Sequence, residues 1–406
     1  MIKKILYTLL AAMTVTFVAC EEDEPTPKTA VAFSFTLPSG HASDVLADSA
    51  IITITDVASG DEVAFKMAVG DLSTLTLADG LYNMTFVVSA SHTSGGATVS
   101  ETFRDTKQGV EVLGGEFSVA FSPVRISGGQ GFVFADLCLC SALPDGVKSY
   151  TGDAWFRIAN NSADTLYADG LCIVETKFNT ATKYDYTPDI MADALAAIAV
   201  YQIPGTGHDV QVLPGASILI ADIAKDHTAD NANSFDLTKA DFEWYDETTK
   251  NLDTDTEAPN LTCVYKESKT VWLPNQQYNR AYAIGYLGGA FGKLSNEDYL
   301  ANYTYDYTYT MLVKEVEKEM TGLAYRFENE WILDAIQFAP STTYVWGVVG
   351  QSVDAGYVSM GETGSDNARR GKSARRHYAN GLFADTNNST DDFEVVASAD
   401  PYYVFE

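Results

Sequence analysis

Three residue patterns in this 406-residue chain have types and spacings that could do chemistry. Tyr303-Thr304-Tyr305-Asp306-Tyr307-Thr308-Tyr309 alternates without a break, so in an extended chain Tyr303, Tyr305, Tyr307 and Tyr309 share one face. An open row of rings stacks on the face of a ligand or packs a partner, and each phenol adds a polar edge. A packed sheet uses the same alternation, because Tyr and Thr favour strands and rings pair across them. Asp253-Thr254-Asp255-Thr256-Glu257 repeats carboxylates at the same period. In extended chain Asp253, Asp255 and Glu257 converge on one side, where a hard cation such as calcium would bind. Ala258 stands where an EF-type loop requires Gly, and a solvated acidic loop accounts for the stretch equally. Arg369, Arg370, Lys372, Arg375, Arg376 and His377 form a basic cluster. Its guanidinium groups, on Arg369, Arg370, Arg375 and Arg376, would seat a phosphate or carboxylate or neutralise nearby acids.

Other chemistries leave less trace. His41, His92, His208, His227 and His377 are scattered and form no His-Glu-x-x-His pair, and no Gly-x-Ser-x-Gly turn is present. Gly288-Gly289-Ala290-Phe291-Gly292-Lys293-Leu294 has Leu294 where a phosphate loop places the Ser or Thr that holds magnesium. Cys138, Cys140, Cys172 and Cys263 include a single Cys-x-Cys with no histidine nearby, which argues against a thiolate zinc site. Those thiols serve as small buried hydrophobes, or Cys172 pairs with Cys138 or Cys140 if the chain is exported. No motif calls for a cofactor. A glycosidase-type carboxylate pair is defined by separation in space, so a carboxylate-dependent hydrolase stays open as an alternative.

These side chains need a scaffold, and the chain supplies one of a definite kind. Apolar residues make up 46% and charged residues 20%, enough hydrophobic side chain for two or three globular domains. The net charge of -29 argues against nucleic acid as a partner. Residues 1–19 read as a signal peptide: Lys3 and Lys4 precede the uncharged run Ile5 to Ala19, which is too short to span a bilayer. The run ends Phe17-Val18-Ala19-Cys20 and resembles the bacterial lipobox, in which Cys20 is acylated and becomes the mature N-terminus. Acyl chains contribute about 0.8 kcal/mol per buried methylene, and two or more of them anchor a protein stably. Residues 20–29 then form an acidic tether, with Glu21-Glu22-Asp23-Glu24 and two prolines keeping it extended.

From residue 30 to 127, short β-prone runs alternate with turn residues, as in Ala50 to Asp56 and Leu81 to Val88, and predict a β-sandwich. The Leu77-Ala78-Asp79-Gly80-Leu81-Tyr82 turn resembles that of transthyretin-like, carboxypeptidase-regulatory sandwiches. Residues 128–406 form a second unit. Its stretch Asp153 to Ile173, closed far downstream by Gly371 to Arg376 and Asp385 to Phe393, resembles a lamin-tail β-sandwich. Insertions are implied between those ends, among them a short Ala-rich helix over Thr187 to Tyr201, with Pro188 near its start and Pro204 after it. Val313 to Met320 fits helix or strand, and Asp241 to Glu257 is expected as a solvent-facing loop. The fold class is therefore mostly β, two tandem sandwiches with a short helix inserted in the second.

The whole arrangement resembles an uncharacterised Bacteroidetes lipoprotein family known as a domain of unknown function. That resemblance implies architecture and no activity. Within it, the acidic run after Cys20 is similar to the signal that sends such lipoproteins to the outer face of the outer membrane. Asp48-Ser49-Ala50 and Asp164-Thr165-Leu166 resemble acceptors for O-glycosylation at Ser49 and Thr165. The expected function is a non-catalytic, surface-exposed lipoprotein that captures a ligand or partner beside a TonB-dependent outer-membrane transporter. The alternative is a structural or adhesive cell-envelope protein.

Overall fold

The computed structural model describes residues 27–36, 50–66, 73–94, 97–114, 116–126, 131–162, 164–250, 253–289, 294–379 and 381–405. The signal peptide, Cys20, the acidic run, Ser49 and most of the Gly288 to Leu294 loop lie outside the described residues.

The alternating runs before residue 127 become strands with one face buried. Ile51–Asp56 turns Ile52 and Ile54 inward and leaves Ile51 exposed, as period-two patterning requires. Ser73–Ala78, Lys28–Phe35 and Glu116–Phe121 form a three-stranded sheet in that order. Glu62–Lys66, Ile51–Asp56, Gly80–Ser94, Ala97–Val112 and Val124–Ile126 form a five-stranded one. Val31, Phe33, Ile52, Met84, Phe86 and Phe121 fill the core of this sandwich. Its Asp-Gly-x-Tyr turn is tied at both ends: Thr29 Oγ1 donates to Asp79 Oδ1 at 2.6 Å, and the Tyr82 hydroxyl donates to the Ala78 carbonyl at 2.8 Å.

Among the described residues, strands from Phe132 onward pair only with one another. One sheet runs Phe242–Glu243, Ser217–Ala221, Trp155–Asn160, Phe132–Cys138, Ser373–Arg376, Phe393–Val396. The other runs Thr304–Val313, Val316–Glu328, Ala194–Gln202, Leu171–Thr176, Ala281–Tyr286, Ile332–Gln337, with Thr262–Lys266 also paired to Ala194–Gln202. Alternate residues of this second sheet enter different cores. Ile173, Tyr201 and Ile284 join Phe134 and Phe156 between the sheets, while Val174, Val200 and Ala283 join Tyr305, Phe327 and Trp331 on the far side. The seven-stranded sheet is thus covered on both faces, and Leu171–Thr176 is buried at every position.

That double burial overturns the helix expected over Thr187 to Tyr201. Ala194–Gln202 is a central strand, pairing with Leu171–Thr176, Thr262–Lys266 and Val316–Glu328. Alanine is the strongest helix former, but propensity yields to tertiary context, and here its small side chains fit where packed layers press on both faces. The longer of the two described helices is Asn296–Asn302, opened by Ser295, whose Oγ accepts from Asp298 N at 3.1 Å and donates to Asp298 Oδ2 at 2.7 Å. Ser295 is thus a side-chain N-cap, its hydroxyl shared between the Asp298 amide and the Asp298 carboxylate. Val313 to Met320 resolves as a hairpin turning at Lys314 and Glu315, both at positive φ, 52° and 65°, the geometry of a two-residue hairpin loop. The expected loop from Asp241 is also corrected at its start. Phe242–Glu243 is a buried strand and Trp244 is fully buried, because these rings belong to the core between the sheets. Glu243 is compensated there by the Ala224 and Thr256 amides, which donate to its carboxylate at 2.8 and 2.6 Å.

Candidate ligand-binding site

The tyrosine row occupies Thr304–Val313, the outermost strand of the seven-stranded sheet. Tyr305, Tyr307 and Tyr309 stack along one face with centroids 5.1 and 6.1 Å apart. Tyr305 and Tyr307 are buried, while Tyr303 and Tyr309 are half-buried. Gly322 sits directly opposite Tyr307 on the neighbouring strand, and any Cβ there would run into the Tyr307 ring. The glycine is what lets that ring lie flat across its partner strand.

A second group of rings closes over the row. Phe178 stacks on Tyr186 at 3.9 Å and meets Tyr307 edge-on at 5.2 Å. Tyr184 lies 4.8 Å from Tyr309, and Trp346 lies 6.0 Å from Tyr186. Three sets of hydrogen bonds fix these rings. Trp346 Nε1 donates to the Asn179 and Thr182 carbonyls, each at 2.9 Å. Thr187 and Thr308 exchange backbone bonds of 2.9 Å, and the Tyr305 hydroxyl donates to the Pro188 carbonyl at 2.6 Å. The segment from Phe178 to Met191 is thereby strapped to the edge strand. Between them opens a cleft of about 220 Å³, lined by Phe178, Lys183, Tyr184, Asp185, Tyr186, Asp189, Ile190, Met191, Ala194, Ala196, Tyr305 and Trp346. Burial, followed by the neighbouring Asp189, pushes the Tyr305 phenol up to about 12. Burial and the surrounding phenols push Tyr186 higher still. These rings stay neutral at any physiological pH and present π faces and hydroxyls rather than charge.

The basic cluster is built differently. Arg376 is fully buried: Nε donates to the Phe134 carbonyl at 2.7 Å, Nη1 to the Ala384 carbonyl at 2.8 Å, and Nη2 to Asp334 Oδ2 at 2.5 Å. Asp392 and Asp385 lie 3.5 and 3.7 Å from Nη1, and the guanidinium covers the Phe393 ring at 4.3 Å. Arg375 pairs with buried Asp136 at 2.7 Å and covers Tyr403 at 3.5 Å. Arg369 donates to the Gln276 and Asp366 carbonyls at 2.6 and 2.5 Å. The structure therefore assigns Arg369, Arg375 and Arg376 to internal partners and not to an outside anion, because the strands carrying their counter-groups close around them. Among the described residues Arg370 makes one long contact, Nη2 to Gln276 Oε1 at 3.5 Å. Burial pushes Asp334 and Asp136 up to about 6 against the pull of Arg376 and Arg375 respectively. Asp354, buried without a basic partner among the described residues, is pushed up to about 7 although Ser389 and Gly356 donate to it.

The acidic triplet is not gathered. Asp253 turns inward to accept from the Asp246 and Thr254 amides at 2.8 and 2.9 Å, while Asp255 accepts from Asn260 Nδ2 at 2.9 Å and Glu257 is exposed. Among the described residues no group of three or more His, Cys, Asp or Glu is placed to hold a metal ion. Cys138, Cys140, Cys172 and Cys263 are free thiols. Cys138 and Cys140 enter different cores, because the strand ends at Cys138. Thr165 is half-buried just before the short strand Leu166–Tyr167. Sequence reasoning missed Phe178, Tyr184, Tyr186 and Trp346; the only local signal was the short alternation Tyr184-Asp185-Tyr186.

Residues 213–399 match the family model described as a protein of unknown function, DUF4876. The matched stretch includes the tyrosine strand and Trp346 but not the Phe178 to Met191 segment. A crystal structure of a DUF4876 family protein from Bacteroides thetaiotaomicron is similar to this chain with a TM-score of 0.53 and 19% identity, covering 90% of this chain and 94% of its own. At that identity the likeness is one of fold. A putative adhesin from Bacteroides ovatus aligns over 76% of this chain and 88% of its own, with 8% identity and a TM-score of 0.20. No curated protein matches. The chain thus resembles an uncharacterised Bacteroidetes family and has a mostly β, sandwich-type fold.

Proposed function

We propose that this protein is a non-catalytic lipoprotein, anchored through Cys20 and displayed on the outer membrane, that captures a small ligand in the ring-lined cleft and works beside a TonB-dependent transporter. The cleft carries this reading. It combines enclosed aromatic faces with three charged side chains, Lys183, Asp185 and Asp189, at one concave site, the composition of a recognition pocket that orients its occupant with few polar groups. The signal-peptide pattern ending at Cys20 and the acidic tether support the location.

The test is to purify the lipidated protein from gently solubilised native outer membrane and identify by mass spectrometry what accompanies it. A co-purifying transporter barrel is the expected result. Recovery alone, or with adhesins, would move the protein to a structural role in the envelope.

A further inference from the structure

We infer that the cleft takes an organic cation, an alkylammonium or guanidinium group, and that Lys183 is a tethered competitor for its aromatic wall; this rests on the capture reading above. Lys183 is exposed, yet its Nζ lies 5.5 Å from the centroid of the Trp346 ring. Asp185 and Asp189 stand on the same lining, and among the described residues neither forms an ion pair with Lys183. The ammonium of the chain itself already shows which kind of group the wall receives. Ring faces of Trp and Tyr attract cations through their quadrupole, most strongly where water is excluded.

Charge at the opening points the same way. The lining carries two carboxylates and one ammonium, and Asp189 Oδ1 accepts from the Met191 amide at 3.0 Å while Oδ2 makes no hydrogen bond among the described residues. An anion would meet both carboxylates. The net charge of -29 adds a long-range attraction for cations that salt screens. A neutral ring such as a sugar would also stack, but it would use Lys183 as a hydrogen-bond donor and would not displace it. The two alternatives therefore predict opposite effects of removing Lys183.

The experiment is calorimetric titration of the full mature chain with n-butylammonium, methylguanidinium, blocked Gly-Lys-Gly and Gly-Arg-Gly peptides, and glucose. Saturable binding of the cations is expected, weakening as salt rises and lost in Trp346→Ala. Lys183→Ala should tighten it by about 3-fold, the scale of an exposed cation–π contact, and Asp189→Asn should loosen it. Lys183 is exposed and makes no hydrogen bond among the described residues, so its variant retains the fold. Tighter binding of the peptides than of the free cations makes the ligand a basic side chain of a polypeptide; the reverse makes it a free amine. Weaker cation binding in Lys183→Ala, or no binding of any cation, overturns the inference. Glucose binding at the cleft while the cations fail would overturn it and leave the capture reading standing.

Discussion

The basic segment around Arg376 and the tyrosine strand both stand out in the sequence as ligand sites, and the folded chain treats them in opposite ways. At Arg376 the donors of the guanidinium already meet carbonyls and carboxylates from other strands, and a ring covers its face. At the tyrosine strand the rings pack on one another yet leave a cleft. Of the Tyr303 to Tyr309 row, Tyr305 alone has its hydroxyl engaged among the described residues. A group is available to a ligand only if folding leaves part of its bonding capacity unused. Charge alone does not indicate that, since a buried charge must be paired to exist at all.

The largest expected effect comes from breaking the saturated region. Arg376→Met leaves Asp334, Asp385 and Asp392 buried around an uncharged side chain, and should cost about 3 to 5 kcal/mol in urea unfolding. A loss under about 1 kcal/mol would mean the cluster is open to water. Next comes the buried part of the ring row. Tyr305→Ala removes a ring that is 3% exposed and loses the bond to Pro188, so about 3 kcal/mol is expected, read as a fall in Tm.

A third variant probes by pH the surroundings of the saturated region, where Asp392 adds to the rise of Asp354. Burial raises Asp354, and the folded protein therefore holds a proton there that the unfolded chain releases at lower pH. Its contribution to stability is fully present below the unfolded value near 4 and is lost as pH rises through about 7. Asp354→Asn mimics the protonated acid, accepting from the Ser389 and Gly356 amides as before. Its stability relative to the parent should grow between pH 4 and pH 7, by no more than about 1.4 kcal/mol per pH unit. Parallel pH profiles for the two proteins would show that Asp354 is ionised without strain. The smallest effect belongs to the open end of the row: Tyr309 is half-buried against the cleft-lining Tyr184, and Tyr309→Ala should change unfolding free energy by less than about 1 kcal/mol while weakening ligand capture through Tyr184. A Tyr309 ring that proves as costly as Tyr305 would make the whole row core.

Much of the fold was legible because period-two alternation is written directly into strands with one wet face, as in Ile51–Asp56. It failed where a strand is dry on both faces. Ala194–Gln202 carries no alternation to read, and its alanines look helical until layers on either side are known. The four-tyrosine face was also legible, whereas its opposing wall was not. Phe178 and Tyr186 approach Tyr305 and Tyr307, and Trp346 packs on Phe178 and Tyr186, across long stretches of chain, and only the fold brings them there. For Arg376 the sequence offered two roles, seating an anion or neutralising nearby acids, and the partners that decide for the second, Asp334, Asp385 and Asp392, reach it only after the sheets close.

The account rests on the cleft, and not the basic segment, holding a ligand. Its most direct test is to purify the chain and its Tyr186→Ala/Trp346→Ala variant from the native cell surface and compare the small molecules and peptides that each retains by mass spectrometry. The account predicts a compound retained by the parent and absent from the folded variant. The same compound retained by both, or lost only on replacing Arg370, would contradict it.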